Sequence, residues 1–135
     1  MVHATGGFTP ESPIGSALES KRSGATFQLS EHGDRTMSFE SILSFLGKNG
    51  SYCRQFLLKR TNSSGSNAVA CRQPDGNWKL EILVAAKVNK AGGRIRTASA
   101  LTSPEVDLVL DRLMGEIALD ASDEIELIER GWRPQ

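Results

Sequence analysis

Apolar and polar residues alternate over much of the chain, which is typical of β-strands that bury one face. The alternation is clearest at 78–84, where one predicted face carries Trp78, Leu80, Ile82 and Val84 while Lys79 and Glu81 lie on the other. Shorter alternating runs predict further strands at 25–30 and 94–101. The dominant pattern is therefore that of a sheet.

The segment 36–46 is ambiguous, because its apolar residues fit an amphipathic helix as well as a strand. The dipeptide Asn49-Gly50 follows it, and Asn-Gly is typical of the type I′ turn of a two-residue β-hairpin. We therefore predict a strand at 36–46 that pairs with a second strand at 52–59.

A second turn is predicted at Pro74-Asp75-Gly76. A two-residue Asp-Gly loop sets Cys71 opposite Leu80, whereas a three-residue loop with a bulge sets Cys71 opposite Lys79. A slip of one residue moves the cysteines to the other face of the sheet. The sequence leaves both registers open.

Helix signals lie near both ends of the chain. Ser12-Pro13 predicts the start of a short helix that ends before Ser23-Gly24, since serine is a good N-cap and proline suits the first helical position. Near the C-terminus, an apolar stripe predicts a helix from Pro104 that packs on the sheet; its members are Val106, Val109, Leu110, Leu113, Met114 and Ile117.

A last helix is predicted to begin at Asp120. Gly131 fits the C′ position of a Schellman ending, and Trp132 is expected to fold back on Leu127. The acidic group Asp120, Asp123 and Glu124 lacks the spacing and the central glycine of a calcium loop. We interpret these residues as helix N-terminal charges.

The predicted fold is α+β: a single antiparallel sheet of five to six strands, with a short N-terminal helix and C-terminal helices packed on it. Residues 12–135 form this one domain, and residues 1–11 are predicted to be a flexible N-terminal segment or linker. A turn at 31–34 and a flexible turn at 87–93 connect predicted strands.

Lys and Arg total 16, as do Asp and Glu, so no overall charge favours binding to nucleic acid. We therefore expect no nucleic-acid partner. The charge is uneven, however. Residues 1–101 carry 13 basic and 7 acidic side chains, whereas residues 102–135 carry 3 and 9. A solvated acidic helix face beside a mildly basic sheet explains this, and a basic face that meets an acidic partner is the alternative.

The residue types that perform chemistry are scarce. Two cysteines and two histidines, His3 and His32, provide no spacing of a zinc site, and no base lies in a motif beside a nucleophile. We therefore predict no catalytic residues, no metal, no cofactor and no enzyme activity.

Cys53 and Cys71 flank a polar loop, so a hairpin would place them opposite one another. We favour a disulfide over the alternative of two buried reduced thiols. Closing a loop of this length is worth about 3 kcal/mol, and the bond would place the domain outside a reducing cytosol. Arg54 and Arg72 follow the two cysteines and form a candidate recognition surface; ordinary solvent-exposed strand arginines are the alternative.

The motifs Gly50-Ser51-Tyr52-Cys53-Arg54-Gln55-Phe56, Ala70-Cys71-Arg72 and Asp75-Gly76-Asn77-Trp78 resemble a pattern of two groups of bacterial envelope proteins. One is the extracytoplasmic domain of membrane-anchored anti-sigma factors. The other is the C-terminal domain of surface-antigen lipoproteins of the 17 kDa type. Gln55 stands where the pattern usually has Glu.

The anti-sigma resemblance implies a periplasmic sensor or interaction domain on the inner membrane, within a transmembrane regulator of transcription. Its partner would be an envelope protein or a small ligand. A sigma factor would bind only a cytoplasmic region, and the membrane would be reached only through an anchor, neither of which this sequence contains. The alternative resemblance implies a structural domain of an outer-membrane lipoprotein.

Overall fold

A computed structural model describes residues 7–30, 36–60, 65–85 and 104–132. The predicted turns at 31–34 and 87–93 and the predicted strand at 94–101 lie outside these residues, as do His3 and His32. The strands are Gly7–Phe8 (β1), Thr26–Ser30 (β2), Thr36–Gly47 (β3), Tyr52–Arg60 (β4), Ser66–Arg72 (β5), Trp78–Ala85 (β6) and Met114–Ala118 (β7). The helices are Pro13–Ser20 (α1), Pro104–Leu113 (α2) and Ala121–Glu129 (α3).

The strands form one antiparallel sheet in the order β1-β6-β5-β4-β3-β2, and β7 pairs with the end of β3. The predicted α+β class, with a single sheet, one N-terminal helix and two C-terminal helices, is confirmed. Strand β1 lies within the segment 1–11 and pairs with the start of β6.

The β3–β4 hairpin is confirmed, but its turn is not of type I′. The Gly47 N–H donates to the Ser51 carbonyl at 2.7 Å and the Gly50 N–H donates to the Gly47 carbonyl at 2.9 Å, which encloses three residues. Gly50 has φ +89°, whereas Asn49 is not among the residues with positive φ that type I′ would require. A type I turn followed by a left-handed glycine replaces it.

The β5–β6 turn repeats this geometry. The Gln73 N–H donates to the Asn77 carbonyl at 2.7 Å, the Gly76 N–H donates to the Gln73 carbonyl at 2.9 Å, and Gly76 has φ +92°. Cys71 therefore lies opposite Lys79. Of the two registers left open by the sequence, the structure adopts the one with the three-residue loop.

A bulge in β6 changes which residues share a face. Val69 pairs with Ile82 but Ala70 pairs with Leu80, so one residue of β6 is left over between them. Trp78 and Leu80 consequently pack on one face of the sheet, and Ile82 packs on the other. The prediction of one shared face from Trp78 to Val84 is wrong, because regular alternation assumes an unbroken ladder.

Strand β3 has a similar irregularity between Ser41 and Leu43. Met37 and Phe39 pack on the same face as Trp78, while Leu43 and Phe45 pack on the opposite face. Each bulged strand thus contributes apolar side chains to both faces.

Two apolar cores result, one on each face of the sheet. The first contains residues of α1 and α3, packed with the aromatic rings Phe39, Phe56, Trp78 and Trp132. The second contains residues of α2, packed with Phe45, Val69, Ile82 and both cysteines. The sheet is therefore covered by helices on both sides, and side chains that lie between a strand and a helix are shielded from water.

The C-terminal part differs in one respect from the prediction. Helix α2 ends at Leu113, and the residues up to Ala118 form β7 instead of continuing the helix to Ile117. Gly115 is a poor helix former, and β7 gains backbone pairing with β3, through Gly47↔Met114 and Phe45↔Ala118. The helix prediction is therefore wrong beyond Leu113.

The predicted helix ends are confirmed at α1 and α3. The Ser12 hydroxyl accepts from the Gly15 N–H at 3.1 Å at the start of α1. The Asp120 carboxylate caps α3 by accepting from the Asp123 N–H at 2.9 Å, and hydrogen bonds from Asp123 and Ser122 hold the pKa of the Asp120 carboxyl below its ordinary value.

Helix α3 ends in a Schellman motif. The Trp132 N–H donates to the Leu127 carbonyl at 2.7 Å and the Gly131 N–H donates to the Ile128 carbonyl at 3.1 Å. Trp132 and Leu127 are both buried in the first core. The predicted return of Trp132 onto α3 is confirmed.

Candidate functional site

Cys53 and Cys71 are joined by a disulfide with an S–S distance of 2.07 Å. They lie directly opposite one another on β4 and β5, and both are buried in the core beneath α2. The predicted disulfide is confirmed. Since both sulfurs are bonded, neither cysteine is a free thiol nucleophile.

Arg54 lies in the interior of the protein, with an exposed fraction of 0%. Its Nη1 donates to the Leu18 carbonyl at 2.7 Å, its Nε donates to the Ser44 hydroxyl at 2.8 Å, and its Nη2 lies 3.2 Å from the Glu124 carboxylate. Leu18 is in the last turn of α1, where backbone carbonyls lack partners within the helix. The guanidinium therefore joins β4, α1 and α3 and is not presented at a surface.

Glu124 is the counter-ion of Arg54 and also accepts hydrogen bonds from the Ser23 N–H at 2.7 Å and from the hydroxyls of Ser23 and Ser44. Burial raises the pKa of the Glu124 carboxyl, but the bonds from Ser23 and Ser44 and the charge of Arg54 outweigh it, so the pKa lies below its ordinary value. Glu124 is therefore ionised at neutral pH.

Burial lowers the pKa of Arg54 to about 10, against the opposing influence of the Glu124 charge. Arg54 therefore keeps its proton at neutral pH, and the interior holds a true ion pair. Ser44 is 1% exposed, and its hydroxyl lies between the two charges. It has no access to a substrate, so this cluster acts as a connection between elements.

The sequence pattern predicts a helix N-terminal charge at Glu124, whereas the structure shows a buried counter-ion. A signal was present nonetheless. Glu124 precedes Leu127 by three residues and Ile128 by four, and residues at these spacings share one face of a helix. A carboxylate on the apolar face of an amphipathic helix indicates a buried counter-ion.

Arg72 occupies a different environment from Arg54. Its side chain is 22% exposed, and its Nε donates to the Glu19 carboxylate at 2.8 Å. The same carboxylate accepts from the Trp78 indole N–H at 2.6 Å. Of the two arginines of the candidate recognition surface, only Arg72 reaches solvent.

Trp132 links the two arginine environments. Its indole N–H donates to the Glu19 carbonyl at 2.9 Å, and the Arg54 guanidinium carbon lies 5.2 Å from its ring centroid, within the range of a cation–π contact. Trp78 packs edge-on against Trp132, with ring centroids 5.4 Å apart. The polar atoms at the end of α1 are thus satisfied by the sheet and by the C-terminal residues.

A cleft of about 360 Å³ lies beside this cluster, between the β3–β4 and β5–β6 turns. Its lining includes Ser51, Tyr52, Arg72, Gln73 and Trp132. Within the described ranges, no group of three or more His, Cys, Asp and Glu residues is arranged to hold a metal ion. No helix in the described part of the chain is long and apolar enough to cross a membrane.

A family model described as 17 kDa outer membrane surface antigen matches residues 16–79. The matched residues run from α1 to the start of β6 and contain both cysteines, Arg54 and Arg72. Searches among curated proteins and among solved structures found no match. Of the two resemblances predicted from the motifs, the match favours the surface antigens, and nothing found supports the anti-sigma factors. Residues 16–79 are therefore similar to the 17 kDa outer membrane surface antigens.

Proposed function

We propose that this chain is a non-enzymatic structural module of a bacterial outer-membrane surface antigen. The observation that carries the proposal is the family match over residues 16–79, which spans the disulfide-linked part of the sheet. A disulfide suits the cell envelope, because thiols in the cytosol are kept reduced.

The use of the charged residues supports a structural role. Arg54 and Glu124 hold α1 and α3 to the sheet. The hydroxyls around them donate to the carboxylate or accept from the guanidinium. Nucleophilic catalysis needs a base within reach of a nucleophile in an accessible site. The described clusters do not combine these features, so we expect no turnover in a hydrolase screen.

Fractionation of the source bacterium tests the location. The epitope-tagged natural gene product should appear in the outer-membrane fraction. Reduction of its Cys53–Cys71 bond should change the mobility of the protein relative to the unreduced sample in gel electrophoresis. Recovery from the cytosol, with both thiols free, would contradict the proposal.

The anti-sigma prediction, a periplasmic sensor on the inner membrane, gains no support from the family match. The same experiment separates it from the present proposal. An anti-sigma factor would appear in the inner-membrane fraction and would co-purify with a sigma factor, whereas a surface antigen would do neither.

A further inference from the structure

The cleft between the two hairpin turns is a candidate ligand site. We propose that it binds a small organic carboxylate with a flat apolar body. Its volume of about 360 Å³ falls within the range of small-molecule sites, about 300–1,000 Å³. The proposal stands independently of the surface-antigen function, because it rests on the lining of the cleft.

The charge of Arg72 is paired with Glu19, but its remaining N–H donors favour an anion in the cleft. Arg72 is the one charged side chain that lines the cleft among the described residues, and no acidic side chain does so. Glu19 engages the Nε of Arg72 at 2.8 Å and its Nη2 at 3.5 Å. The Nη1 group has no hydrogen-bond partner within the described residues, so its two N–H donors remain available to an incoming carboxylate.

The uncharged lining residues add donors and an aromatic surface. The hydroxyls of Ser51 and Tyr52 make no hydrogen bond with the described residues, and both residues line the cleft. The half-buried Tyr52 ring lies against the buried Trp132 ring, at an angle of 56° and with centroids 6.0 Å apart, so Tyr52 presents the aromatic surface to the cleft. A flat apolar group can pack against the Tyr52 ring, which is why we assign the ligand an apolar body.

The disulfide preorganises this cleft. Cys53 and Cys71 form the last pair of the β4–β5 ladder, and Tyr52 and Arg72 are the next residue of each strand. The bond therefore fixes the separation of the two strands immediately below the side chains that would contact the ligand. Restraining a site in its binding geometry lowers the entropy cost of binding.

Titration of the ¹⁵N-labelled oxidised chain with benzoate, followed by NMR, tests the proposal, with benzamide as the neutral isostere. Benzoate should give saturable shifts centred on Tyr52, Arg72 and Trp132, with a dissociation constant of roughly 1–10 mM. Benzamide should give none. Absence of saturable benzoate shifts, or equal binding of benzamide, would overturn the proposal.

Variants locate the site. Arg72→Gln should weaken benzoate binding about tenfold, because it removes a charged donor, and Tyr52→Phe should weaken it about threefold while keeping the ring. Arg112→Gln makes the same charge change on an exposed position of α2 and should leave binding unchanged. If Arg72→Gln does not fold, Tyr52→Phe decides: weaker binding supports the site, and unchanged binding refutes it.

Discussion

Glu124 joins α3 to the rest of the molecule through an ion pair and hydrogen bonds. It receives hydrogen bonds from Ser23 and Ser44 and pairs with Arg54, and those partners lie after α1, on β3 and on β4. Without its charge, Arg54 would be a buried cation with no ion-pair partner among the described residues. An uncompensated buried charge is among the most destabilising changes in a protein interior.

Glu124→Gln should lower the free energy of unfolding by about 3 kcal/mol, because it removes one partner of a buried ion pair and keeps the side-chain shape. Urea unfolding followed by circular dichroism measures this. The matched control is Glu129→Gln on the exposed face of the same helix, which should change the free energy by less than about 0.5 kcal/mol. Equal effects of the two substitutions would show that the pair is not a stabilising contact.

Stability should depend on pH through the same residue. The pKa of the Glu124 carboxyl is lower in the folded than in the unfolded chain, so the unfolded chain binds more protons on acidification. The contribution of Glu124 is therefore complete above roughly pH 4.3, the ordinary glutamate pKa, and is lost as the pH falls through the lower folded value.

Urea midpoints measured from neutral pH down into the acid range should fall for the wild-type protein. They should fall less steeply for Glu124→Gln. An identical slope in both proteins would mean that other carboxyls, such as Asp120 with its lowered pKa, account for the acid sensitivity.

At the scale of elements, the two hairpin turns share one design. Each has three residues and ends in a glycine with positive φ, Gly50 in the first and Gly76 in the second. A Cβ at Gly50 would meet no atom within 4 Å. The requirement for glycine there is therefore conformational and not steric, since residues with a Cβ are disfavoured in the left-handed region.

Gly50→Ala should destabilise the protein by about 1 kcal/mol, whereas Gly50→Asn should cost clearly less, because asparagine tolerates the left-handed conformation. Thermal unfolding of the two variants beside the wild-type protein provides the comparison. Equal losses for Ala and Asn would point to a cause other than backbone conformation.

The whole molecule could be predicted from the sequence to the extent that its signals are local. The N-cap at Ser12, the Schellman ending at Gly131 and the cysteine pair each depend on a few neighbouring residues or on one hairpin, and all three are present in the structure. The bulge in β6 and the buried position of Arg54 depend on packing between distant segments. The alternation in β6 looks regular in the sequence, and Arg54 looks like an exposed strand residue. Alternation alone therefore predicts neither the bulge nor the burial of Arg54.

The disulfide stabilises the molecule as a whole, because it restricts the conformations of the unfolded chain. Reduction should lower the free energy of unfolding by about 3 kcal/mol, since the bond closes a loop across a sequence separation of 18 residues. The comparison is urea unfolding with and without dithiothreitol. The Cys53→Ala/Cys71→Ala variant should show no response to the reductant; a response would reveal an effect unrelated to the bond.

The ion pair between Arg54 and Glu124 also sets an order of events during biosynthesis. Arg54 leaves the ribosome 70 residues before its counter-ion, and Trp132, which packs over its guanidinium, follows later still. Burying the guanidinium before Glu124 exists would cost several kcal/mol. We therefore expect the nascent sheet to keep its α3-facing side open until α3 and Trp132 have been made.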